Sequence, residues 1–259
     1  MPLERKEWDS EFFGREIYYL DVSNISDWNS ISESITSLDR KMVWGIEAHV
    51  PIQKFSEISI LEDLGFRLVD SRAEFRTPMK SSDFPSEIKG EGTVRSYSEA
   101  DLSDILEITK ECFVENIHFK SRYNNRNLFS KKESEKYYHA WITNSIRSPD
   151  TYCAVWEYQG KTQGFFLYKH KVEDGEDVLK GILTGVREDF RGHSAHLRMQ
   201  SFLYSKFGLE EFTLDNSTQI TNVPVIQNHI RSRKRLAGMK LILYRKNQNS
   251  LSNFAGTPT

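Results

Sequence analysis

A polar stretch without sustained hydrophobic periodicity interrupts the chain at Lys80–Gly92 and limits the folds it can adopt. The stretch contains one proline and two glycines, a composition typical of a linker. A chain of 259 residues is long enough for one large or two small domains. We therefore predict an N-terminal domain at 1–80, a linker at 81–92, a larger domain at 93–248 and a flexible tail at 249–259.

Charge and hydropathy exclude several classes of function. The chain has 35 lysines and arginines against 37 acidic residues, a net charge of -2, so no global field attracts nucleic acid or an anionic membrane. No apolar run reaches the ~18–20 residues that span a bilayer, and the first residues carry charges where a signal peptide is apolar. We expect a cytoplasmic protein that binds neither nucleic acid nor membrane. The two cysteines, Cys112 and Cys153, are too few for a disulfide framework or a cysteine-rich metal site, so we expect reduced, packed thiols.

Alternating helical and strand patterns predict an α/β fold. Apolar residues at helical spacing indicate helices near 27–38, 54–64, 102–113, 134–146, 194–207 and 223–234. Segments rich in β-branched and aromatic residues indicate strands near 16–22, 42–50, 66–77, 152–158, 163–171, 179–186, 212–215 and 240–246.

One of the predicted strands runs into a segment that is suited to binding a diphosphate. The strand ends at Gly185 and Val186, and Arg191–His196 then leads into an apolar helix. The first turn of a helix leaves backbone N–H groups unpaired, small residues let an anion approach them, and Arg191 adds positive charge. The pattern alone also fits a plain turn.

This segment resembles the cofactor loop of the GNAT acyl-CoA N-acyltransferases. The family pattern is Arg or Gln, two residues, Gly, one residue, then Gly or Ala. Arg191 matches the first position, whereas Ser194 replaces the glycine and His196 replaces the final small residue. We expect the bulky His196 side chain to turn outward. A wider similarity to aminosugar N-acetyltransferases of this family covers most of the chain, in segments 3–14, 61–69, 121–123, 137–142 and 222–245.

The resemblance implies a fold and a reaction. The fold is an α/β (α+β) GNAT fold, a mixed and mostly antiparallel sheet flanked by helices, with an N-terminal partial GNAT-like domain and a homodimeric assembly. The reaction is direct transfer of acetyl from acetyl-CoA, without a metal, to the amine of a nucleotide-linked aminodeoxysugar such as a dTDP-linked 4-amino-4,6-dideoxyhexose. Such a reaction belongs to surface-polysaccharide biosynthesis.

The resemblance also implies roles for individual residues. The acetyl oxygen is expected at backbone N–H groups of the strand before the loop, and Asn222 is expected to hold the cofactor or an ordered water. His229 stands where the family has a tyrosine that protonates the departing thiolate, and an imidazolium suits that role near neutral pH. The alternative is that His229 is a polar helix residue and the thiolate leaves unassisted. The predicted cofactor residues are Leu183, Gly185, Val186, Arg191, Gly192, His193, Ser194, Ala195, His196 and Asn222, with His229 and Asn222 as the catalytic pair.

A polar segment between the first two helices of the larger domain is the predicted acceptor site. It contains Arg122, Tyr123 and Asn125. Arginine binds a diphosphate in bidentate fashion, and tyrosine stacks on a base or sugar. A solvated loop is an equally open interpretation.

Other functions fit fewer features. The pair His193 and His196 has metal-ligand spacing but no accompanying Glu-His pattern or cysteine cluster. The basic run Arg231–Arg235 is more typical of a solvated helix face than of nucleic-acid binding. Because three family positions are altered, a degenerate GNAT domain that serves as a binding or assembly module is an alternative function, and an N-acyltransferase using another acyl-CoA is a second.

Overall fold

The computed structural model describes residues 2–84, 88–116, 118 and 120–247. Helices and strands alternate along most of the chain. The helices are α1 Glu7–Phe13, α2 Trp28–Arg40, α3 Phe55–Asp63, α4 Leu102–Thr109, α5 Lys131–Ile146, α6 Ala195–Phe207 and α7 Val223–Arg231. The strands are β1 Leu3–Arg5, β2 Ile17–Leu20, β3 Gly45–Pro51, β4 Arg67–Lys80, β5 Thr93–Ser96, β6 Thr151–Tyr158, β7 Lys161–Glu173, β8 Glu176–Val186, β9 Glu211–Gln219 and β10 Leu236–Lys246.

Two compact units divide the chain, and neither is continuous in sequence. Unit 1 comprises Met1–Arg72, Ser121–Leu128 and Met239–Thr259, and unit 2 comprises Ala73–Lys120 and Phe129–Gly238. These bounds differ from the domains 1–80 and 93–248 expected from the sequence. The physical reason lies in strand pairing, because β10 pairs with β3 over Lys240–Lys246 and so places this part of β10 in unit 1.

Unit 1 is built on a small mixed sheet with the order β1-β2-β3-β10. The β1-β2 and β3-β10 pairs are antiparallel, and the β2-β3 pair is parallel. Asp27 caps α2 by accepting hydrogen bonds from the N–H groups of Asn29 and Ser30, which fixes where that helix begins. Helices α2 and α3 bury Ile31, Ile35 and Leu61 against the sheet in one apolar core. Burial of these apolar side chains is what orders the unit.

Unit 2 contains an antiparallel meander, β5-β6-β7-β8, to which β9 adds in parallel. The β6-β7 hairpin turns at Gln159 and Gly160, both with positive φ, as a two-residue turn requires. One core lies between the sheet and α6, and includes Trp156, Tyr168 and Tyr204. A second core includes Ile105 and Ile108 of α4 with Ile142 of α5. Helices therefore flank a mixed, mostly antiparallel sheet, and the predicted fold class is confirmed.

The predicted linker is ordered where the structure describes it. Lys80 is the last residue of β4, and Ser81–Asp83 forms one turn of 3-10 helix with the N–H of Lys80 donating to the Asp83 carboxylate at 2.7 Å. Phe84 packs against Tyr204 and Phe212, with ring centroids 4.6 and 6.3 Å apart. Residues 85–87 of the linker and the predicted tail at 249–259 lie outside the described residues.

Helix α4 continues as a π-helical turn over Lys110–Glu115, which the sequence pattern did not predict. This turn carries Cys112, whose thiol donates to the backbone oxygen of Val186 at 3.4 Å. Both cysteines are free, and burial raises the pKa of Cys112 to about 11 and that of Cys153 to about 12. Among the residues that the structure describes, no helix has the length and apolar composition needed to cross a membrane.

Candidate active site

Strands β8 and β9 run side by side only at their beginning. Their register pairs are Val178 with Thr213, Leu179 with Leu214, and Lys180 with Asp215. Both strands continue, β8 to Val186 and β9 to Gln219, without further pairing between them in the described chain. The two strands therefore part after Lys180, which leaves backbone groups of β8 free to bind a ligand.

A bulge lies in β8 just beyond the point of parting. In the β7-β8 pair, Tyr168 faces Gly181 and Leu167 faces Leu183, so Ile182 is an extra residue. A bulge bends its strand and redirects the peptide groups next to it, and bulges are common beside active sites. Leu183, the predicted contact of the acetyl oxygen, follows this bulge directly.

The loop between β8 and α6 has the backbone of an anion-binding turn. Gly192 has φ +93° and Ser194 has φ +57°, and α6 begins at Ala195. A side chain in this left-handed conformation costs about 1–2 kcal/mol, so position 194 is suited to the glycine that the family has there. The N–H groups of the first turn of α6 have no intrahelical partner, and the helix dipole favours an anion beside them.

The side chains of Arg191 and His193 extend from this loop and contact neighbouring residues. The Arg191 side chain is exposed, donates from Nε to the Val186 oxygen at 3.4 Å and lies 3.6 Å from Glu188. The His193 ring stacks on Trp156 with centroids 5.9 Å apart and an interplanar angle of 27°. Arg191 therefore offers a positive charge at the surface of the loop, whereas His193 anchors the loop to an aromatic cluster.

His196 turns inward, so the expectation that it turns outward is wrong. Its Nδ1 lies 3.3 Å from the Thr184 hydroxyl, and its ring meets Phe166 edge-on at 5.1 Å. Burial, and then the charge of Lys234, lower the pKa of His196 to about 3. Because α6 starts at Ala195, a side chain at 196 points back over the first turn and onto the sheet.

His229 lies on the buried face of α7 with only 4% of its surface exposed. Its ring packs on Phe75 at 4.7 Å and lies 6.3 Å from the ring of His196. Burial, and then Lys234 and His196, lower the pKa of His229 to about 2. The residue is therefore neutral at pH 7 in the free protein, and an imidazolium there is disfavoured.

Asn222 caps α7. Its side-chain oxygen accepts from the N–H of Val225 at 3.4 Å, and Pro224 follows in the first turn. The cap accounts for the start of the helix. The role of Asn222 toward a cofactor or an ordered water stays a prediction.

A chain of hydrogen bonds runs through the interior beside the bulge. Lys234 donates from Nζ to Asn216 Oδ1 at 2.9 Å, and Asn216 Nδ2 donates to the Tyr168 hydroxyl at 3.2 Å. The hydroxyls of Tyr168 and Tyr204 lie 2.5 Å apart. A Cβ at Gly181 would lie 2.2 Å from Asn216 Nδ2, so only glycine lets Asn216 approach β8. Burial lowers the pKa of Lys234 to about 7.

Gln200 completes this arrangement. It lies one helical turn after His196 and one before Tyr204, on the same face of α6. The side chain is fully buried, and neither of its polar atoms has a hydrogen-bond partner among the described residues. We call the whole set the interior polar cluster: Tyr168, His196, Gln200, Tyr204, Asn216, His229 and Lys234.

The sequence contains little that would identify this cluster. Lys234 belongs to the basic run predicted to be a solvated helix face, yet α7 ends at Arg231, and Arg233 follows in a left-handed conformation with φ +59°. Lys234 is 4% exposed, so the prediction of a solvated face is wrong for this residue. Gln200 stands among apolar residues of α6, next to Met199 and near Leu203, which is a usable signal because buried amides need partners.

The predicted acceptor residues lie in unit 1. Arg122 Nε is 2.9 Å from the carboxylate of Glu47, its NH2 group donates to the Tyr123 hydroxyl at 3.0 Å, and its guanidinium stacks on that ring at 4.5 Å. Asn125 accepts from the N–H of Asn127 at 3.0 Å. The Arg122 charge is thus already paired, and a role for these three residues in acceptor binding stays a prediction.

Glu47 is the buried partner of Arg122, with 3% of its side chain exposed. Its carboxylate also lies 3.2 Å from Lys6 Nζ and 2.7 Å from His49 Nε2. Burial opposes ionisation of Glu47, but Arg122, His49 and Lys6 together outweigh it and hold the pKa of the carboxyl well below its usual range. In the described ranges no group of three or more His, Cys, Asp or Glu residues is arranged to hold a metal.

Comparisons with known proteins agree with this architecture. No family model matches the sequence. The dTDP-fucosamine acetyltransferase of Escherichia coli O6:H1 is 22% identical over 246 residues, covering 94% of this chain and 97% of that protein. The GCN5-related N-acetyltransferase from Sphaerobacter thermophilus superposes with a TM-score of 0.57 and 15% identity, covering 89% of this chain and 73% of that one.

A second solved structure gives the same result. A tandem GNAT protein from the clavulanic acid biosynthesis pathway superposes with a TM-score of 0.57 and 10% identity, over 90% of this chain and 76% of its own. The chain has the GNAT fold. The predicted resemblance to GNAT acyltransferases is confirmed by these likenesses.

Proposed function

We propose that this protein is an acetyl-CoA-dependent N-acetyltransferase that acts on the amine of a nucleotide-linked aminodeoxysugar. The observation that carries the proposal is the parting of β8 and β9 beside a bulge, followed by the left-handed turn at the start of α6. Similarity to dTDP-fucosamine acetyltransferase over nearly the full length of both chains supports a dTDP-linked 4-amino-4,6-dideoxyhexose as the acceptor.

The donor set of unit 2 fits an acyl-CoA. Unpaired N–H groups at the start of α6 and the exposed Arg191 suit a pyrophosphate. The edge of β8 at Leu183 offers backbone N–H groups, and the buried amide of Gln200 has unused hydrogen-bonding capacity. Acetyl-CoA would supply an activated thioester at this site.

In this proposal the residues of the chain place and polarise the reactants. Backbone N–H groups at Leu183 donate to the carbonyl oxygen, where negative charge grows during transfer. Arg191 and the first turn of α6 bind the pyrophosphate, and Asn222 orients the donor or a water. The acceptor amine attacks directly, so placement of the two reactants supplies much of the rate.

His229 takes a role that suits its burial. A neutral imidazole donates one N–H and accepts at the other nitrogen, and His229 has no hydrogen-bond partner for either in the part of the chain that the structure describes. We propose that it orients the sulfur end of the donor. Replacing His229 by alanine should lower kcat by about tenfold, as expected for loss of one orienting hydrogen bond, and turnover within about twofold of the parent would contradict the role.

The proposal is tested first by calorimetric titration with acetyl-CoA. We expect saturable micromolar binding that Arg191→Glu abolishes. The matched control is Arg147→Glu, which reverses an exposed arginine paired with Glu99 at 3.7 Å and lies outside the loop. Binding by both variants would contradict the loop as the pyrophosphate site. No binding by the parent up to millimolar donor would favour a degenerate binding module, and acyl-CoAs of other lengths would then be titrated.

The acceptor is tested by turnover. The parent with acetyl-CoA should acetylate a dTDP-linked amino sugar, with release of free thiol as the readout. Charge reversal at Arg122 should raise the KM for the nucleotide sugar and leave the KM for acetyl-CoA nearly unchanged. Equal effects on both KM values would count against Arg122 as an acceptor contact, and thiol release with a longer acyl donor alone would replace the acetyl assignment.

A further inference from the structure

The interior polar cluster contains a single cation. Of its seven members, Tyr168, Gln200, Tyr204 and Asn216 are neutral at pH 7, and burial keeps His196 and His229 neutral. Lys234 is the remaining member. A buried ammonium is costly unless it is compensated, so a lysine retained here requires an explanation.

Lys234 has unused hydrogen-bonding capacity. Its surface is 4% exposed, and Asn216 is the one hydrogen-bond partner of its Nζ among the described residues. An ammonium carries three N–H donors, so two remain for a ligand. Gln200, also fully buried, has an unpartnered amide in the same cluster. Lys234 and Gln200 are thus two buried polar side chains with unused hydrogen-bond donors, as expected at a site that binds a polar ligand atom.

Lys234 is bound to a residue that lies where β8 and β9 separate. Its partner Asn216 is the first residue of β9 beyond the last register pair, Lys180 with Asp215. Asn216 lies against Gly181, which immediately precedes the bulge at Ile182. The ammonium is therefore held, through Asn216, at the point where β8 and β9 separate and directly before the bulge in β8.

We propose that Lys234 donates the proton that the leaving sulfur takes up when the acyl group is transferred. This inference rests on the proposed function and assigns its proton donor. Lys234 takes the place of His229 as the proton donor, because burial of the His229 ring disfavours its imidazolium form.

The step balances in atoms and electrons. The bond between the acceptor nitrogen and the carbonyl carbon forms, and the carbon–sulfur bond breaks with its electron pair on sulfur. One proton passes from Lys234 Nζ to sulfur, and the proton lost by the acceptor nitrogen restores the ammonium. An ammonium with a pKa of about 7 transfers its proton downhill to an alkyl thiolate, whose conjugate thiol has a pKa of about 8.5.

The groups that face Lys234 do not compete for this role. These groups come from four elements. Helix α7 and the turn after it supply His229 and the backbone before Lys234, α6 supplies His196 and Tyr204, β7 supplies Tyr168, and β9 supplies Asn216. Burial is the cause of the lowered pKa of Lys234. Binding of an anionic donor nearby would raise that pKa and keep the ammonium charged.

The test compares coenzyme A with desulfo-coenzyme A, which lacks the sulfur, by calorimetry under reducing conditions. If the ammonium faces the sulfur, the parent binds coenzyme A at least about tenfold more tightly, because a charged donor at the thiol is lost with the sulfur. Lys234→Met should bind both ligands equally. Lys234→Gln keeps a donor to Asn216 without the charge and serves if the methionine variant does not fold. The matched control is Lys206→Met, an exposed lysine that donates to Ser96 at 2.7 Å, and it should behave as the parent.

Turnover supplies a second readout. Lys234→Met should lower kcat about 100-fold, the usual scale of general acid catalysis, while the KM for acetyl-CoA changes less than about twofold. The descending limb of kcat at high pH should disappear. With a selenoester analogue of the donor, whose leaving group needs no proton, the loss should shrink to less than about tenfold.

The outcomes separate the two proposals. In one outcome the parent binds coenzyme A while Lys234→Met and Lys234→Gln keep its preference for coenzyme A over desulfo-coenzyme A. That result overturns the role of Lys234 and leaves the proposed function standing. Failure of the parent itself to bind coenzyme A overturns both. Loss of the sulfur preference in the variants, with the Lys206→Met control intact, supports the assignment.

Discussion

Replacing Lys234 by methionine should remove a specific pH dependence of stability. Burial lowers the pKa of Lys234 from 10.5 to about 7 in the folded chain. Between these two values the unfolded chain binds more protons than the folded one, so the free energy of unfolding rises with pH across this window. Each pH unit well inside the window is worth about 1.4 kcal/mol. From pH 7 to pH 9 the parent should therefore gain about 2 kcal/mol from this group, after allowing for partial titration near pH 7.

The assay is urea unfolding of the parent and Lys234→Met at pH 7, 8 and 9. The cysteines, whose pKa values burial raises, act in the opposite direction, but they are common to both proteins and cancel in the difference. The variant should be the more stable protein at pH 7, by about 1–3 kcal/mol once the loss of the Lys234 hydrogen bond to the Asn216 oxygen is counted. The difference should shrink as pH rises. A difference that stays constant from pH 7 to 9 would mean that Lys234 is charged in the folded chain with an ordinary pKa, and would refute the reasoning.

Two further substitutions test the packing behind the sites. Gly181→Ala should lower the free energy of unfolding by about 2–3 kcal/mol because its Cβ displaces Asn216, whereas Gly238→Ala, with nothing within 4 Å, should be tolerated; equal chemical denaturation midpoints would contradict this. Glu47→Gln should lower the free energy of unfolding by about 3 kcal/mol, since it leaves the buried charge of Arg122 without its carboxylate. The parent should lose this advantage only in strong acid, as pH falls below the usual carboxyl range, and acid titration followed by fluorescence measures both effects.

The fold was accessible from the sequence because local patterns there agree with the tertiary structure. Hydrophobic periodicity and turn residues in the sequence mark most helices and strands, such as the hairpin at Gly160 and helix α2, which begins after Asp27. The domain boundary was not accessible in this way, since it depends on β10 pairing with β3, and pairing between distant strands leaves no local pattern.

The candidate site was accessible only in part. The loop at Arg191–His196 was identified from backbone chemistry that small residues and a following helix imply. The inward direction of His196 and the burial of Lys234 were not accessible, because they depend on where α6 begins, where α7 ends and how both helices pack. A lysine within a basic run has the same local pattern whether it faces water or an interior amide, so the burial of Lys234 depends on tertiary packing.

The discontinuity of unit 1 has a consequence for synthesis on the ribosome. Strand β3 needs β10 on one edge, and β10 leaves the exit tunnel long after β3 because most of the helices and strands lie between them in the sequence. Until β10 emerges, one edge of β3 has unpaired backbone N–H and C=O groups and side chains that are buried in the folded chain. Such an edge can pair with strands of other chains. Expression products that stop before Met239 should therefore accumulate in inclusion bodies, and translation pauses between β3 and β10 should increase the dependence of this protein on chaperones.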